Sequence, residues 1–372
     1  VSIELATARK DSYRDGTRKP DVQPATLHED AERRDFTINA LLRNVATGEL
    51  FDPLETGLAD LREGFLRTPR EPRTTFEEDP LRMLRAVRFR AQLGFRYAEG
   101  LADAIRAHAS DLERISAERI RDEFVKTLVS DAPDAGLGDL KEFGLLEKFL
   151  PELLDLVGVE QGAYHHLDVW DHTLLVVKGL APLRDPILSL AGLFHDIAKP
   201  QTRSVDAEGR THFYEHERVG AKLAYGILQR LKFSNETAVT VALLVRQHMR
   251  LASVTRFSLP AARRLVRDLE GETDRYFALI EADLAALKPG VKPMDLAGIR
   301  ETVDRVRSES GAGNWESPLN GEEIGRLLGW EPGPRIGEAK RWLGELVLDG
   351  RLAPADRERA TQLLRERFTR GC

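Results

Sequence analysis

The chain has 372 residues, of which 42% are hydrophobic and 31% charged, a balance that excludes a disordered protein and allows two or three domains. No stretch approaches the roughly 20 apolar residues of a membrane-spanning helix, so we expect no membrane partner. The single cysteine, Cys372, excludes an intrachain disulfide and fits a reducing, cytoplasmic location. The net charge of −6 is only weak evidence against a nucleic-acid partner, because arginines cluster between positions 62 and 96.

The first 35 residues predict a strand, a loop and a helix, in that order. Residues 1–8 alternate apolar and polar side chains, which is typical of a β-strand. The polar stretch that follows is interrupted by glycine and proline and predicts a loop. We expect a helix to begin near Leu27 and to carry the sequence Arg33-Arg34-Asp35.

A second helix is predicted over residues 79–94. Asp79 suits the N-cap and Pro80 the first helical position. The spacing places three apolar residues on one face and three arginines on the adjoining face. These residues are Leu81, Leu84 and Val87, and Arg82, Arg85 and Arg88.

The rest of the chain has mostly helical periodicity. Residues 99–157 are expected to be helical, with breaks at Ser110, at Pro133 and at the glycine-rich residues 136–138. Residues 161–290 form another helical block, with a boundary near residues 288–293. Further helices are predicted around 321–328, 336–348 and 354–368. The fold class is therefore mainly α, with a remnant of sheet at the start.

Residues 161–290 contain a series of potential metal ligands. His195 and Asp196 lie inside an apolar stretch that predicts a buried helix, where such a pair needs a partner or an ion. Alone, the pair is more often an ordinary core or capping pair. Four further imidazole and carboxylate side chains in this region extend it to the ligand supply of a one- or two-metal hydrolytic site. They are His172, His216, His248 and Asp283.

The sequence Glu78-Asp79-x-x-Arg82 places a carboxylate at a helix start and a guanidinium one turn later. Together they present an acceptor and fixed donors that suit the edge of a nucleobase. Arg85 and Arg88 follow at intervals of three and suit triphosphate oxygens. Spacing alone favours the simpler interpretation, a capped helix with solvated arginines.

The metal-ligand series resembles the HD phosphohydrolase superfamily. Four residues resemble the ligands that name the superfamily: His172, His195, Asp196 and Asp283. His216 and His248 resemble the two further histidines of its bimetallic members. The resemblance implies a divalent ion (Mn, Ni, Fe, Zn or Mg²⁺) that activates water against a phosphomonoester or cyclic phosphodiester, with His195 and Asp196 catalytic. We interpret His165, His166 and His212 as structural or surface residues.

Segments across the whole chain resemble the bacterial class II tRNA nucleotidyltransferases, the CCA-adding enzymes of the poly(A) polymerase family. The segments are residues 33–41, 52–67, 78–89, 116–123, 319–321 and 332–334. The resemblance implies that Asp79 and Arg82 select CTP and ATP, with Glu78 bracing Arg82. It implies that the triphosphate is held by Arg34, Arg85 and Arg88. Mg²⁺ for nucleotidyl transfer and tRNA as partner follow from the same resemblance.

The resemblance also divides the chain into four parts and predicts what the first part lacks. They are a partial α+β nucleotidyltransferase head (1–55), a helical neck and body that binds nucleotide and tRNA (56–160), an HD domain (161–290) and a helical tail (291–372). The family's Gly-Gly turn and Asp-x-Asp metal pair lie upstream of the strand that residues 3–9 resemble. We therefore expect an N-terminally truncated chain that binds nucleotide but transfers it poorly.

The leading hypothesis is template-independent addition of CCA, or of the terminal A, to tRNA. The stretch between Arg9 and Arg33 has the length of family members that add A, which predicts competence for A addition. The alternative is a metal-dependent phosphohydrolase, a 2′,3′-cyclic phosphodiesterase or phosphatase acting on RNA or nucleotides. A non-catalytic RNA-binding protein and a poly(A) polymerase are the remaining hypotheses.

Overall fold

The computed structural model describes residues 7–12, 21–162, 166–252, 256–290, 294–309 and 315–368. The chain divides into two compact units. The first comprises Val1–Arg246 with Ala282–Pro289, and the second comprises Gln247–Glu281 with Gly290–Cys372. Within the described ranges, none of the helices is long and apolar enough to cross a membrane.

Strands are few and short in the described part of the chain, where they form four two-stranded sheets. Three pairs are antiparallel: β1 (Arg9–Ser12) with β2 (Asp21–Pro24), β3 (Leu42–Arg43) with β4 (Leu50–Phe51), and β7 (Arg203–Val205) with β8 (Thr211–Phe213). One pair is parallel: β5 (Phe65–Leu66) with β6 (Arg96–Tyr97).

Helices make up most of the described chain and confirm the mainly α prediction. Those up to the end of the first unit's main segment are α1 (Leu27–Glu32), α2 (Gly57–Glu63), α3 (Pro72–Glu78), α4 (Leu81–Leu93), α5 (Leu101–His108), α6 (Ala117–Leu128), α7 (Pro133–Glu142), α8 (Leu146–Phe149), α9 (Val169–Leu180), α10 (Pro186–Phe194), α11 (Lys199–Thr202), α12 (His216–Arg230) and α13 (Asn235–Gln247). Those that follow are α14 (Leu259–Asp268), α15 (Thr273–Ala285), α16 (Leu296–Glu309), α17 (Gly321–Leu328), α18 (Pro334–Leu348) and α19 (Arg357–Phe368). Short 3-10 helices cover Thr37–Asn39, Ala109–Arg114, Pro151–Leu156, Ala181–Leu183 and His248–Leu251.

The loop predicted after the first strand begins and ends in paired strands. The prediction of a loop was therefore wrong for residues 9–12 and 21–24, which form β1 and β2. Strand β1 pairs with β2 in a register that joins Arg9 to Pro24, which satisfies backbone groups that an open loop would leave to water. Residues 7 and 8 precede β1 and are not in a strand. The rest of the predicted strand (residues 1–6) and the middle of the predicted loop (residues 13–20) lie outside the described residues.

The Arg33-Arg34-Asp35 sequence follows α1 instead of lying within it, which corrects the predicted helix. A capping box joins Thr26 and Glu29 at the start of α1, but the helix ends at Glu32. Phe36 is extended and fully buried, so the chain turns away to place that ring in the core. The three polar side chains are therefore presented from an irregular segment.

Helix α4 forms where the sequence predicts it. It begins at Leu81 with Pro80 at the N-cap, so the predicted N-cap and first helical position are each one residue early. Asp79 accepts a hydrogen bond through Oδ1 from the backbone N–H of Leu81 at 3.2 Å. Gly94 ends the helix in the left-handed conformation. Leu84 and Val87 are buried, and α4 packs on both α6 and α7.

The predicted break at residues 136–138 is wrong, because these residues lie inside α7. Pro133 begins that helix, as proline at a first helical position does. A Cβ atom at Gly136 would lie 2.5 Å from Cγ2 of Thr127 in α6. The glycine is therefore needed for close helix packing and does not mark a turn.

The predicted C-terminal helices are confirmed as α17, α18 and α19. Residues 321–328 match α17, and α18 begins two residues earlier than predicted, at Pro334. Helix α17 packs on α18 and α19, where Cδ1 of Ile336 would lie 3.0 Å from a Cβ at Gly325. The boundary predicted near residues 288–293 lies partly outside the described residues.

Candidate functional site

A positively charged cavity of about 380 Å³ lies in the first unit, beside the turn between α3 and α4. Five arginines and two aspartates dominate its wall, which gives it an excess of positive charge. The lining residues are Arg33, Arg34, Asp35, Asn39, Asp79, Leu81, Arg82, Arg85 and Arg119. A cavity of this kind suits a ligand that carries several negative charges.

The predicted base-reading pair lies at the start of α4 with its hydrogen-bonding groups held in place. Arg82 donates through Nη1 to Oε2 of Glu78 at 3.2 Å and through Nη2 to the carbonyl oxygen of Arg33 at 2.6 Å. Asp79 accepts through Oδ2 from Nη2 of Arg119 at 2.8 Å. One acceptor and a fork of donors are thus fixed side by side, as recognition of a base edge requires.

Two of the three arginines predicted to hold a triphosphate line the cavity. Arg34 donates to the carbonyl oxygen of Asn39 at 3.0 Å, and Arg85 donates through Nε to Oδ2 of Asp35 at 2.7 Å. Arg88 is not among the lining residues: it is buried and donates through Nε to Oε2 of Glu123 at 2.6 Å. Glu78 is likewise outside the lining and supports Arg82.

Five lining residues were not among the predicted site residues: Arg33, Asp35, Asn39, Leu81 and Arg119. Arg33 and Asp35 belong to the same three-residue sequence as Arg34, and Asn39 follows four residues later, so proximity in sequence was an available signal. Arg119 comes from α6 and meets Asp79 only through the packing of α6 on α4. Nothing in the spacing of Arg119 indicates this contact.

Four of the predicted metal ligands converge in the first unit. His172 comes from α9, His195 and Asp196 follow α10, and Asp283 comes from α15. The Nε2 atom of His172 lies 3.0 Å from Oδ1 of Asp283 and 3.3 Å from Nε2 of His195. Nε2 of His195 lies 3.1 Å from Oδ2 of Asp196. Ligands about 2.1 Å from one ion are about 3 to 4 Å apart, so the donor atoms of His172, His195 and Asp196 fit a single divalent ion, and Asp283 lies beside this group.

Backbone carbonyls orient two of the imidazoles. His195 Nδ1 lies 2.8 Å from the carbonyl oxygen of Gly192, and His216 Nδ1 lies 2.7 Å from that of Phe213. An imidazole that donates from Nδ1 to a carbonyl turns Nε2 toward the carboxylates, where this atom binds a metal ion through its lone pair or, when protonated, pairs with a carboxylate. Nε2 of His216 lies 3.3 Å from Oδ1 of Asp196.

Asp196 is the electrostatic centre of this cluster. Burial raises the pKa of its carboxyl, but the charges of His195 and Lys199 outweigh burial and hold the pKa well below its usual range. Lys199 Nζ lies 2.6 Å from Oδ2 of Asp196. Burial likewise raises the pKa of Asp283, whereas its hydrogen bond to His172 lowers it to about 2. Both carboxylates are therefore ionised at neutral pH, as metal binding requires.

The remaining histidines are placed as follows. His248 belongs to the second unit, is buried and begins the 3-10 helix His248–Leu251. His212 lies in the β7–β8 hairpin, with Nε2 2.8 Å from Oδ2 of Asp206. His166 is exposed, and His165 lies outside the described residues.

Three family profiles match successive parts of the chain. The poly A polymerase head domain matches residues 1–67, and the probable RNA- and SrmB-binding site of polymerase A matches residues 94–156. The HD domain matches residues 162–284.

Two curated relatives cover nearly all of the chain. The A-adding tRNA nucleotidyltransferase of Deinococcus radiodurans is 35% identical over 91% of this chain and 79% of its own length. The CC-adding tRNA nucleotidyltransferase of Thermus thermophilus is 36% identical over 93% of this chain and 79% of its own length. The chain belongs to the tRNA nucleotidyltransferase family. The members of this family are enzymes that use nucleoside triphosphates and divalent metal ions.

The family's fold is also found in solved structures. A Bacillus stearothermophilus CCA-adding enzyme, crystallised in complex with CTP, superposes with a TM-score of 0.68 and 24% identity, covering 97% of this chain and 78% of that one. At this level of identity the similarity concerns the fold alone. In the present chain, the family profiles follow one another in the order head domain, RNA-binding region and HD domain.

Proposed function

We propose that this tRNA nucleotidyltransferase extends the 3′ end of tRNA without a template, adding CCA or the terminal A from CTP and ATP. The charged cavity beside α4 carries the proposal. Asp79 offers a carboxylate acceptor to the exocyclic amino group shared by cytosine and adenine, and Arg82 offers donors to the neighbouring ring acceptors. A carboxylate cannot donate to the carbonyl that uracil and guanine carry at that position, so UTP and GTP are disfavoured.

The triphosphate is proposed to contact Arg34 and Arg85, which both line the cavity. Arg88 and Glu78 then act behind the cavity wall. Arg88 and Arg85 share the carboxylate of Glu123. Nε of Arg88 lies 2.6 Å from Oε2 of Glu123, and Nη1 of Arg85 lies 3.8 Å from Oε1. Glu78 fixes the guanidinium of Arg82. Arg34 and Arg85 are thus proposed to contact the nucleotide, whereas Arg88 and Glu78 are proposed to hold the contacting side chains in place.

Equilibrium dialysis against the four nucleoside triphosphates tests the binding step without requiring transfer. We expect CTP and ATP to bind at least tenfold more tightly than UTP and GTP, a difference of about 1.4 kcal/mol. Asp79→Asn turns one acceptor into a donor and should reduce this preference. Equal binding of all four nucleotides contradicts the proposed selection by Asp79 and Arg82.

Transfer itself is proposed to need Mg²⁺ held by an Asp-x-Asp pair, as two-metal phosphoryl transfer does. The experiment incubates tRNA lacking CCA, and in parallel tRNA ending in CC, with labelled CTP and ATP and Mg²⁺. It compares the 372-residue chain with a form extended at its N-terminus by a segment that carries the acidic pair. Incorporation by the extended form supports the proposal, and incorporation by neither form contradicts it.

The two curated relatives have different products, A in one and CC in the other, at nearly equal identity. The same labelled reaction therefore resolves the product, because tRNA ending in CC accepts only the terminal A. We propose tRNA as the macromolecular partner, bound largely through its phosphates by residues 56–160. Binding should weaken steeply from 50 to 200 mM salt.

We propose a second activity, metal-dependent hydrolysis of 2′,3′-cyclic phosphates or phosphomonoesters, at the HD domain. The observation that favours it is the convergence of the donor atoms of His172, His195, Asp196 and Asp283. A divalent ion held there supplies a Lewis acid and an activated water. His216, whose Nε2 lies 3.3 Å from Oδ1 of Asp196, is proposed as a ligand of a second ion.

Hydrolysis of 2′,3′-cyclic AMP with added Mn²⁺, Ni²⁺, Zn²⁺ or Mg²⁺ tests the second activity. His195→Ala and Asp196→Asn should abolish it and leave binding of CTP in the α4 cavity unchanged, because the two sites share no residue. His212→Ala is the matched control, a histidine of the same domain outside the ligand cluster. Full hydrolysis by Asp196→Asn contradicts the proposal.

A further inference from the structure

Asp30 has an unusual concentration of hydrogen bonds behind the wall of the nucleotide cavity. It lies in α1 and is only 8% exposed. Its Oδ1 atom accepts from Arg33 Nε at 3.0 Å, from Arg33 Nη2 at 2.7 Å and from the backbone N–H of Arg9 at 3.2 Å. Its Oδ2 atom accepts from Arg34 Nε at 3.2 Å and from Arg34 Nη2 at 3.1 Å. One buried carboxylate thus binds two consecutive arginines of the cavity wall.

These bonds hold more than the two side chains. The backbone carbonyl of Arg33 accepts the 2.6 Å hydrogen bond from Arg82, so the segment that Asp30 fixes also positions the base-reading guanidinium. Arg33 Nε donates to the carbonyl oxygen of Arg9 at 2.9 Å. Strand β1 is therefore tied to the cavity wall through both backbone groups of Arg9.

Fixing the arginines before a ligand arrives has a thermodynamic effect. Each arginine side chain loses conformational entropy when it is held in one rotamer. When the protein already holds the side chain, the ligand does not bear that cost. Burial raises the pKa of Asp30, but its hydrogen bonds to Arg33, Arg9 and Arg34 lower it below the usual value, so the carboxylate remains ionised and accepts only.

We propose that Asp30 is a positioning residue for the triphosphate: it holds Arg33 and Arg34 in the geometry in which they bind phosphate oxygens, and it couples this geometry to the β1–β2 hairpin. The inference rests on the proposed binding of nucleoside triphosphates in the α4 cavity. It adds a carboxylate that no predicted motif residue includes.

Removing Asp30 also has an electrostatic effect on phosphate binding, opposite in sign to the loss of positioning. Asp30 neutralises part of the charge of Arg33 and Arg34, so its removal makes the cavity more positive and could strengthen phosphate binding. The two effects have opposite signs in a binding measurement. Loss of affinity without Asp30 indicates positioning, whereas a gain of affinity indicates competition.

The experiment measures binding of CTP, CMP and inorganic tripolyphosphate by the full chain and by Asp30→Asn. We expect CTP and tripolyphosphate to bind about tenfold more weakly to the variant and CMP to change less than twofold. Asp30→Glu keeps the charge and should restore part of the loss. Glu152→Gln is the matched control, because Glu152 also accepts two hydrogen bonds from one arginine, Arg230, but lies outside the cavity lining.

The outcomes separate this inference from the proposed function. Unchanged or tighter binding of CTP by Asp30→Asn overturns the positioning role while the proposed function stands. An equal loss for CTP and CMP also overturns it, because a general structural defect does not distinguish the outer phosphates. Absence of CTP binding by the unsubstituted chain overturns the proposed function, and the inference with it.

Discussion

Replacing Gly136 by alanine tests the packing of α7 on α6. The added Cβ would lie 2.5 Å from Cγ2 of Thr127, 3.2 Å from Cβ of Ala91 and 3.9 Å from Cγ1 of Val87. Carbon atoms in contact prefer about 3.5 to 4.0 Å, so the first distance is a severe overlap. The variant therefore forces α6 and α7 apart or displaces Thr127.

The free-energy change follows from two opposing contributions. Overpacking a filled core costs about 1 to 3 kcal/mol, and the higher value applies because Thr127 is β-branched and donates through Oγ1 to the carbonyl oxygen of Glu123 at 3.0 Å. Alanine is about 1 kcal/mol better than glycine inside a helix. We therefore expect Gly136→Ala to lower the free energy of unfolding by about 2 kcal/mol.

Gly138 provides the matched control in the same helix, since a Cβ there meets no atom within 4 Å. Gly138→Ala should stabilise the protein by up to about 1 kcal/mol through helix propensity alone. Urea unfolding followed by far-UV circular dichroism measures both variants. Adding Thr127→Ser to Gly136→Ala removes the overlapping methyl group and should restore most of the loss. Equal midpoints for Gly136→Ala and Gly138→Ala would refute the reasoning.

Three further substitutions have defined expected outcomes. Ser189→Ala should stabilise by about 1 kcal/mol, because the buried Ser189 Oγ has no hydrogen-bond partner among the described residues. Burial raises the pKa of Glu152, but Arg230 outweighs it and lowers the pKa below 4.5. Glu152→Gln should therefore cost about 1 kcal/mol at pH 7 and progressively less below pH 4.5. Mn²⁺ at 100 times its dissociation constant should raise the protein's free energy of unfolding by about 2.7 kcal/mol. Asp283→Asn should abolish this increase.

Each of these has an outcome that contradicts it. A lower urea midpoint for Ser189→Ala indicates that the hydroxyl has a bound partner, such as a water molecule. A cost of Glu152→Gln that is the same at pH 3 and pH 7 excludes the ionised pair as its origin. Stabilisation of Asp283→Asn by Mn²⁺ to the same extent as the unsubstituted protein places the bound ion elsewhere.

Local rules predict α4 well, because they act over a few residues. The start of the helix to within one residue, the buried face of Leu84 and Val87 and the terminating Gly94 are each set by neighbours within one or two turns. The same rules fail at Gly136. Glycine is a poor helix former, but its lack of a side chain allows α6 to approach α7, and sequence spacing does not contain that distance.

The first unit's candidate metal ligands stand out in the sequence as a set because their chemistry is rare. A histidine and an aspartate inside an apolar stretch need a partner, and the order from His172 to Asp283 supplies it. The sequence did not predict the role of Lys199, whose ammonium group lies 2.6 Å from Asp196. A lysine after a helix is usually solvated, and only the tertiary structure shows that this one is buried.

The nucleotide cavity shows the same division between residues and their partners. Sequence alone indicated which side chains at the start of α4 suit recognition of a base edge, since Glu78, Asp79 and Arg82 lie within one turn of each other. Tertiary structure decided that Arg88 pairs with Glu123 behind the wall and that Arg119 reaches Asp79 from α6. Periodicity determines the face of a helix on which a charge lies. The partner that the charge meets depends on how helices distant in sequence pack together, because each arginine reaches several carboxylates only after the fold has formed.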